Sequence, residues 1–356
     1  MTAGDLTIRS MEKSDRDLAL FKSCFDDNGS PKPRDLLSWQ FFDVPQPGLN
    51  VEFAMDEAAP GAAIVAAVYA VFPIRMRVGE QVLPAVQSID TMTDARYRGR
   101  GLFVKLAEQV YARCQSEGKS LVYGMPNANS AHGFFTKLGW TALDPMPFVA
   151  RPLRSGYLLS KLKLGGTVSK LFDAPLPLPA RPKLPAGSVM RDVADIDDQF
   201  HDVWRAYCGH NTCGVERDAQ YLRWRLKRPG ERYEVIAWYE GEKLLGYVVI
   251  GRRDMGDSKA GKLMELIYNP QRPAVGSGLL AEALHRLRSA GCGIVWAWNF
   301  EHSANRPALK AAGFISLPER LWPLKLHFGV RDFNGNLGLP NQREHWYISM
   351  LECDTD

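Results

Sequence analysis

The 356-residue chain is most informative first in what it lacks. Its six cysteines, at 24, 114, 208, 213, 292 and 353, form no Cys-x-x-Cys pair and are too sparse for a disulfide scaffold, so reduced thiols are expected. Cys208 and Cys213 flank His210, but the second ligand pair of a zinc module is missing and no metal is expected. No uninterrupted apolar run approaches the roughly 18 residues that span a bilayer, and MTAGDLTIRSMEKSD is too polar for a signal peptide. A cytoplasmic protein with no integral membrane segment is the expectation. The net charge of +4 is small for this length, which argues against a nucleic-acid partner.

What is present is an ordinary globular composition, 46% hydrophobic and 24% charged, at a length that suggests two domains of about 150 residues each. The informative stretch runs from Ser88 to Trp140. An apolar/polar alternation predicts a strand over Gln81–Met92, Arg96-Tyr97-Arg98-Gly99-Arg100-Gly101 turns the chain, and a 3.6-residue period predicts a helix over Leu102–Cys114. The first amides of a helix have no internal partner and carry the positive end of its dipole, so a diphosphate sits well there. Gly99 and Gly101 permit positive φ and remove Cβ atoms from the path of an anion, while Arg96, Arg98 and Arg100 supply charge-assisted donors. A Walker loop needs Gly-x-x-x-x-Gly-Lys-Ser/Thr, and a dinucleotide fingerprint needs a third glycine where Val104 stands; both readings fall away.

This stretch resembles the GCN5-related N-acetyltransferase (GNAT) family, whose coenzyme A loop reads Gln/Arg-x-x-Gly-x-Gly/Ala between a strand and a helix. Arg96, Gly99 and Gly101 fill the three specified positions, and Gly139-Trp140 falls where the family places Gly-Phe. The resemblance implies acetyl-coenzyme A or another acyl-coenzyme A as co-substrate, held over Arg96–Phe103, including Leu102 and Phe103. It also implies a splayed or bulged strand whose amides near Thr91, Met92 and Thr93 face the pantetheine arm and the thioester.

Weak matches recur in one order in the second half. Leu6–Arg9 parallels Val189–Asp192, Leu37-Ser38-Trp39-Gln40-Phe41 parallels Leu222-Arg223-Trp224-Arg225-Leu226, and Gly99-Arg100-Gly101-Leu102 parallels Gly276-Ser277-Gly278-Leu279. Ser130-Ala131 and Gly139-Trp140 pair likewise with Ser303-Ala304 and Gly313-Phe314. Such a series is the signature of duplication. The expected fold is mixed α/β (α+β): two tandem GNAT-like domains, each a mostly antiparallel sheet flanked by helices. Residues 1–150 form the first, 151–187 a basic, Pro-rich linker, and 188–356 the second. The linker has seven cations (Arg151, Arg154, Lys161, Lys163, Lys170, Arg181, Lys183) against Asp173, and its prolines from Ala174 to Gly187 make a stiff extended spacer. Pro273 stands where the first half has Arg96, so the second coenzyme A loop is degenerate, although Gly276 and Gly278 would still permit a turn. Glu344–Leu351 alternates like a final strand.

Acyl transfer to an amine needs a neutral nucleophile, oxyanion donors and a proton for the thiolate. Asp90 is the acid best placed on the strand before the loop, and is read either as the base or as a strand-edge residue bonded to a neighbouring turn. Glu265 holds a similar place in the second half. Many members of that family carry a tyrosine as general acid where this chain has Phe135, which has no proton to give; His132, three residues earlier, is read either as its substitute, directly or through water, or as a satisfied polar residue, the thiolate then leaving through solvent. Ser130 is a helix N-cap candidate, which leaves Asn127 and Asn129 to touch ligand. The function expected is transfer of an acyl group from acyl-coenzyme A to a primary amine of a small molecule or sugar, as in bacterial surface-sugar and natural-product pathways. The alternatives are acyl carrier protein as donor, docked on the basic 151–187 segment, and a non-catalytic acyl-coenzyme A sensor or scaffold.

Overall fold

The computed structural model describes residues 6–58, 63–157, 173–209, 212–256 and 258–353. His210 and the linker cations Lys161, Lys163 and Lys170 lie outside the described residues. The first half runs β1 (Thr7–Ser10), α1 (Asp15–Asp26), α2 (Arg34–Phe41), β2 (Asn50–Asp56), β3 (Ile64–Val78), β4 (Gln81–Thr93), α3 (Leu102–Ser116), β5 (Leu121–Gly124), α4 (Ala128–Lys137), β6 (Thr141–Ala142) and β7 (Phe148–Pro152). The second repeats that order with one extra strand: β8 (Ser188–Asp192), α5 (Gln199–Tyr207), β9 (Cys213–Val215), α6 (Ala219–Arg225), β10 (Tyr233–Glu240), β11 (Lys243–Asp254), β12 (Lys259–Tyr268), α7 (Pro273–Ser289), β13 (Cys292–Trp298), α8 (Arg306–Ala311), β14 (Ile315–Ser316) and β15 (Gly329–Asp332). Each half is thus a mixed, mostly antiparallel sheet flanked by helices. Among the described residues, no helix is long and apolar enough to cross a membrane.

Local chemistry sets these elements. Ser14 caps α1 by accepting from the Asp17 amide, and α3 buries Leu102, Leu106, Ala107, Val110, Tyr111 and Cys114, a stripe at helical spacing that covers the sheet. The sheets themselves are not confined to their own halves. Strand order in one is β1-β2-β3-β4-β5-β15-β6, and in the other β8-β10-β11-β12-β13-β7-β14. The last long strand of each half has therefore crossed to the other: Val149–Arg151 pair with Val295–Ala297, and Gly329–Asp332 pair with Leu121–Gly124. The boundary expected at residue 150 falls inside β7. Without the exchange each sheet would present an open gap between its fifth and sixth strands, with unpaired amides and carbonyls on both sides.

A further contact binds the halves. Trp39 of α2 and Trp224 of α6, the tryptophans matched by the repeat, stack at 4.4 Å between ring centroids and 10° between planes. Each indole Nε1 donates to the other's carbonyl oxygen, at 2.9 and 3.0 Å, a pseudo-twofold arrangement. Within the second half Arg217 is fully buried, bonded through Nε to Glu265 at 3.0 Å and through Nη2 to Glu352, with the rings of Trp204 and Tyr347 at 4.8 and 5.0 Å from its guanidinium. Burial by itself would lower this guanidinium, but the two carboxylates outweigh it and hold Arg217 protonated. Glu265 is thereby a structural group, with Tyr347 donating to its other oxygen.

Two expectations change here. The Ala174–Gly187 stretch is extended, yet it is no free spacer: it lies along α7, where Arg288 Nη1 donates to Leu176 O at 2.9 Å and Arg181 pairs with Glu282 at 2.7 Å. The final strand over Glu344–Leu351 is absent; short 3₁₀ turns at Arg343–His345 and Met350–Glu352 bracket a segment bridged to β9 only through Trp346 and Cys213. Ser349 and Glu352 make a reciprocal capping box, and that turn aims Glu352 at Arg217.

The Trp39–Trp224 stack yields a double-mutant prediction. Trp39→Ala and Trp224→Ala each lower stability by about 3–5 kcal/mol in urea unfolding, and the double variant loses less than the sum of the two. Strict additivity would show that the rings stabilise their own halves independently.

Candidate functional site

Strand β4 is the backbone of the site, and its irregularity creates it. Tyr69 opposes Thr91 while Val71 opposes Ser88, so one residue of β3, Ala70, faces two of β4, Ile89 and Asp90: a β-bulge. On its other side β4 pairs in parallel with β5 only through Val86–Val122, Gln87–Tyr123 and Ser88–Gly124. Beyond Ser88 the two strands diverge, leaving the Ile89–Thr93 edge of β4 without a strand partner on the β5 side. Gly124 is needed at the point of divergence, because a Cβ there would stand 2.9 Å from Ser88 O.

A groove of about 820 Å³ starts at this divergence and reaches the loop before α3. Gly99 and Gly101 have φ of +79° and +72°, and nothing lies within 4 Å of the Cβ either would carry. Gly101 occupies the N-cap of α3 in the left-handed conformation and offers no side chain, so the first amides of the helix are left to an outside acceptor. Exposed Arg98 and Arg100 flank the turn, Arg100 lying over the Tyr97 ring at 5.1 Å. Tyr97 is anchored by its hydroxyl to Asp56 at 2.6 Å. An open amide nest, a helix N-terminus and two exposed cations fit a diphosphate.

Of the residues singled out in the sequence, Thr91, Met92, Thr93, Arg98, Gly99, Arg100, Gly101, Leu102, Phe103, Asn127, Asn129 and His132 all line this groove. Arg96 does not. Its guanidinium turns back on Asp94 with contacts of 3.0 and 2.8 Å, and its amide donates to the same carboxylate at 2.9 Å. Hydrogen bonds from Arg96, first its side chain and then its backbone, hold Asp94 down at about 2. Asn28 joins them, donating to Asp94 and accepting from the Ala95 amide at 3.2 Å, so Arg96 braces the loop from behind. The cap of α4 also moves: Asn127 accepts from the amides of Asn129 and Ser130, and Ser130 sits within the first turn.

Next to the groove, and sharing Ser30, Thr91, Met92, Asn127 and Ser130 with it, is a cavity of about 470 Å³. Asp90 is in its wall and 9% exposed. One carboxylate oxygen meets Lys32 Nζ at 2.6 Å and the other accepts from Gln40 Nε2 at 2.7 Å. Lys32 stands between two prolines, Pro31 and Pro33, on the α1–α2 connection, which stiffens its approach. Nothing in the sequence pairs Lys32 or Gln40 with Asp90, which are 58 and 50 positions away; only the tertiary fold does. Trp140 and Phe134 close the far side, Trp140 Nε1 donating to Tyr111 at 3.0 Å. Leu326, from the segment that carries the chain back to β15, completes the wall.

His132 is exposed on the groove rim. Phe135 is turned away from both spaces, packing edge-on to His327 at 6.1 Å and against Gly329 of the exchanged strand. That position serves β15, and a tyrosine there would face the same packing. The second half keeps a bulge in β12, between the pairs Val249–Glu265 and Ile250–Leu263, but has no comparable loop. Helix α7 starts at Pro273, so Gly276 and Gly278 lie inside the helix, pressed against Tyr268 and against Trp238 with Pro182, and neither has positive φ. Pro273 pre-sets the helical φ, which draws the helix back through the would-be turn.

With this geometry in view, residues 7–143 match the family model of the acetyltransferase (GNAT) domain. No curated protein matches the chain. Among solved structures, a GCN5-related N-acetyltransferase from Anabaena variabilis is 12% identical and superposes over 94% of this chain and 75% of its own with a TM-score of 0.66. Saccharomyces cerevisiae N-myristoyltransferase, solved with bound myristoyl-CoA, is 11% identical over 92% of this chain and 82% of its own, TM-score 0.61. A tandem GNAT protein from the clavulanic acid biosynthesis pathway is 13% identical over 92% and 98%, TM-score 0.55. At these identities the likeness is one of fold.

The Asp94–Arg96 brace has a pH signature. Asp94 is depressed from 3.8 to about 2, so its contribution to stability is complete above pH 4 and disappears as pH falls through 2. Asp94→Asn is expected to flatten the dependence of Tm on pH between 4 and 2 in thermal melts. An unchanged slope would place the acid sensitivity elsewhere.

Proposed function

We propose that the chain, whose residues 7–143 match the family model of the acetyltransferase (GNAT) domain, is an acyltransferase that moves an acetyl or other short acyl group from acyl-coenzyme A to the primary amine of a small molecule or sugar. The observation that carries the proposal is the divergence of β4 from β5 at Ser88 and Gly124, which joins the Gly99–Gly101 loop on one side to the Asp90 cavity on the other. The donor lies with its diphosphate at Gly99, Gly101 and the start of α3, where Arg98 and Arg100 add charge. Its pantetheine arm runs along Thr91, Met92 and Thr93, with Asn127 and Asn129 opposite. The thioester then reaches the divergence, where free amides of β4 are available to a developing oxyanion.

The acceptor enters from the cavity. Its nitrogen attacks the thioester carbonyl carbon, the carbon–sulfur bond breaks, the amine gives up a proton and the departing thiolate takes one. Asp90, oriented by Lys32 and Gln40, is the residue assigned to the amine's proton. His132, on the groove rim, is the candidate for returning a proton to sulfur directly or through water. Phe134 and Trp140 narrow the space beyond the divergence, which favours a short acyl group. The carrier-protein alternative loses support, since among the described linker cations Arg151, Arg154 and Arg181 are engaged with Pro177, Asp173 and Glu282. The loss of a glycine turn in the second half supports a purely structural role for that half alone.

Calorimetric titration with acetyl-coenzyme A tests the donor site: one molecule per chain for the native protein and none for Gly99→Val, whose side chain cannot adopt φ near +79° without strain. Two sites, or undiminished binding by the variant, would overturn the assignment. Asp90→Asn is expected to reduce kcat/KM for the amine by about 10²–10⁴-fold at unchanged acetyl-coenzyme A affinity; full activity would remove Asp90 from the chemistry. If native protein binds the donor yet releases no free thiol with any amine supplied, it is a sensor and no enzyme.

A further inference from the structure

The two halves differ in how they use the face of the sheet opposite α3 and α7. In the first, β9 pairs with Met76–Val78 and covers the end of the β3–β4 hairpin. At the corresponding end of the β11–β12 hairpin, no strand is added among the described residues, and a cavity of about 650 Å³ opens there. That volume is typical of small-molecule sites. It shares no lining residue with the donor groove and one, Leu326, with the cavity beside Asp90.

Its walls are aromatic. Trp296 and Trp298 of β13 and Phe148 of the exchanged β7 line it, and Trp322 faces them from the segment after β14. The Phe148 ring stands 5.8 Å from Trp298, edge-on, and 5.1 Å from Trp322. Trp322 is fixed by its Nε1, which donates to Leu317 O at 2.7 Å, so this wall is pre-formed. The same lining carries Lys262 and Glu231, an ion pair at 2.8 Å with only 12 and 13% of the side chains exposed. At the mouth, Arg253 and Arg320 are exposed and form no ion pair among the described residues, while Leu321 is 56% exposed beside them. Among the described lining residues, Arg253, Lys262 and Arg320 stand with Glu231 and Asp254, while Arg228 is engaged with Cys353 O at 2.8 Å.

Aromatic walls without charge would accept any apolar body, and the uncompensated arginines at the rim select among them. We infer that this cavity is a second ligand site, one that takes an amphipathic organic anion. Its flat or branched apolar body lies against Trp296, Trp298 and Phe148, and its carboxylate, sulfonate or phosphate lies between Arg253 and Arg320. The two guanidinium groups are exposed in the free protein and gain charge-assisted bonds on binding. The tryptophan faces gain contact without any side chain having to be ordered first.

The test uses the full chain and the probe 1-anilinonaphthalene-8-sulfonate, an aromatic anion of suitable size whose emission is excited by energy transfer from nearby tryptophan. The native protein is expected to take up one molecule, with or without saturating acetyl-coenzyme A. R253E/R320E is expected to bind it at least tenfold more weakly while taking up the uncharged N-phenyl-1-naphthylamine as the native protein does. Both substitutions are at exposed positions, and an unchanged thermal midpoint confirms that the variant is folded. Equal affinity of the anionic probe for both proteins, or its displacement by acetyl-coenzyme A, would overturn the inference.

Discussion

The reciprocal exchange of β7 and β15 is the constraint on which the rest of this molecule depends. A sheet tolerates a short, charged or covered edge, but a vacancy inside it exposes two rows of backbone donors and acceptors at once. Here each half fills the other's vacancy. The consequence for the site is direct, because β15 pairs with β5, the strand whose divergence from β4 opens the groove, and the segment leading into β15 supplies Leu326 to the cavity beside Asp90. The second half thus completes the groove-bearing face of the first even though its own loop has lost the glycine turn. The Trp39–Trp224 stack ties α2 of the first half to α6 of the second.

Duplication has left the two halves alike in order and unlike in chemistry, and the glycines show why. Gly99 and Gly101 adopt positive φ with empty space around them, so their value is the backbone they expose. Gly276 and Gly278 occupy matched positions within a regular helix, where a Cβ would meet Tyr268 at 2.3 Å and Trp238 at 2.5 Å. Their value is the room they leave for a neighbour. A one-letter match between the halves therefore joins two opposite uses of the same residue. The extended proline segment sharpens the difference, since Pro182 packs at Gly278.

Much of the local structure was legible in the sequence. Strand β4 and helix α3 differ from expectation by one or two residues at one end, and the β4 bulge lies where the family resemblance implied a distorted strand. These features rest on period, turn chemistry and caps, which are local. What escaped was non-local or very short. Strands β6 and β14 have two residues each and carry no periodic signal. Arg96 reads as a phosphate ligand by motif, but Asp94, two residues earlier, is close enough in space to claim it. Asn127 took the cap from Ser130 because α4 begins earlier than its apolar pattern. Lys32 and Gln40 reach Asp90 only after α1, α2 and β4 have assembled, and helix α7 extends back through the expected loop because proline at its start made that conformation cheap.

Strand exchange of this kind between two separate chains would make an obligate dimer, whose folded fraction falls with dilution. Joining the halves through the segment that follows β7 converts the second association into an intramolecular event, at an effective concentration on the order of millimolar for a short connection. The integrity of the groove-bearing face is then independent of how much protein the solution holds. In that sense the proline-rich stretch along α7 is a thermodynamic component of the site: it sets the concentration at which one half sees the other.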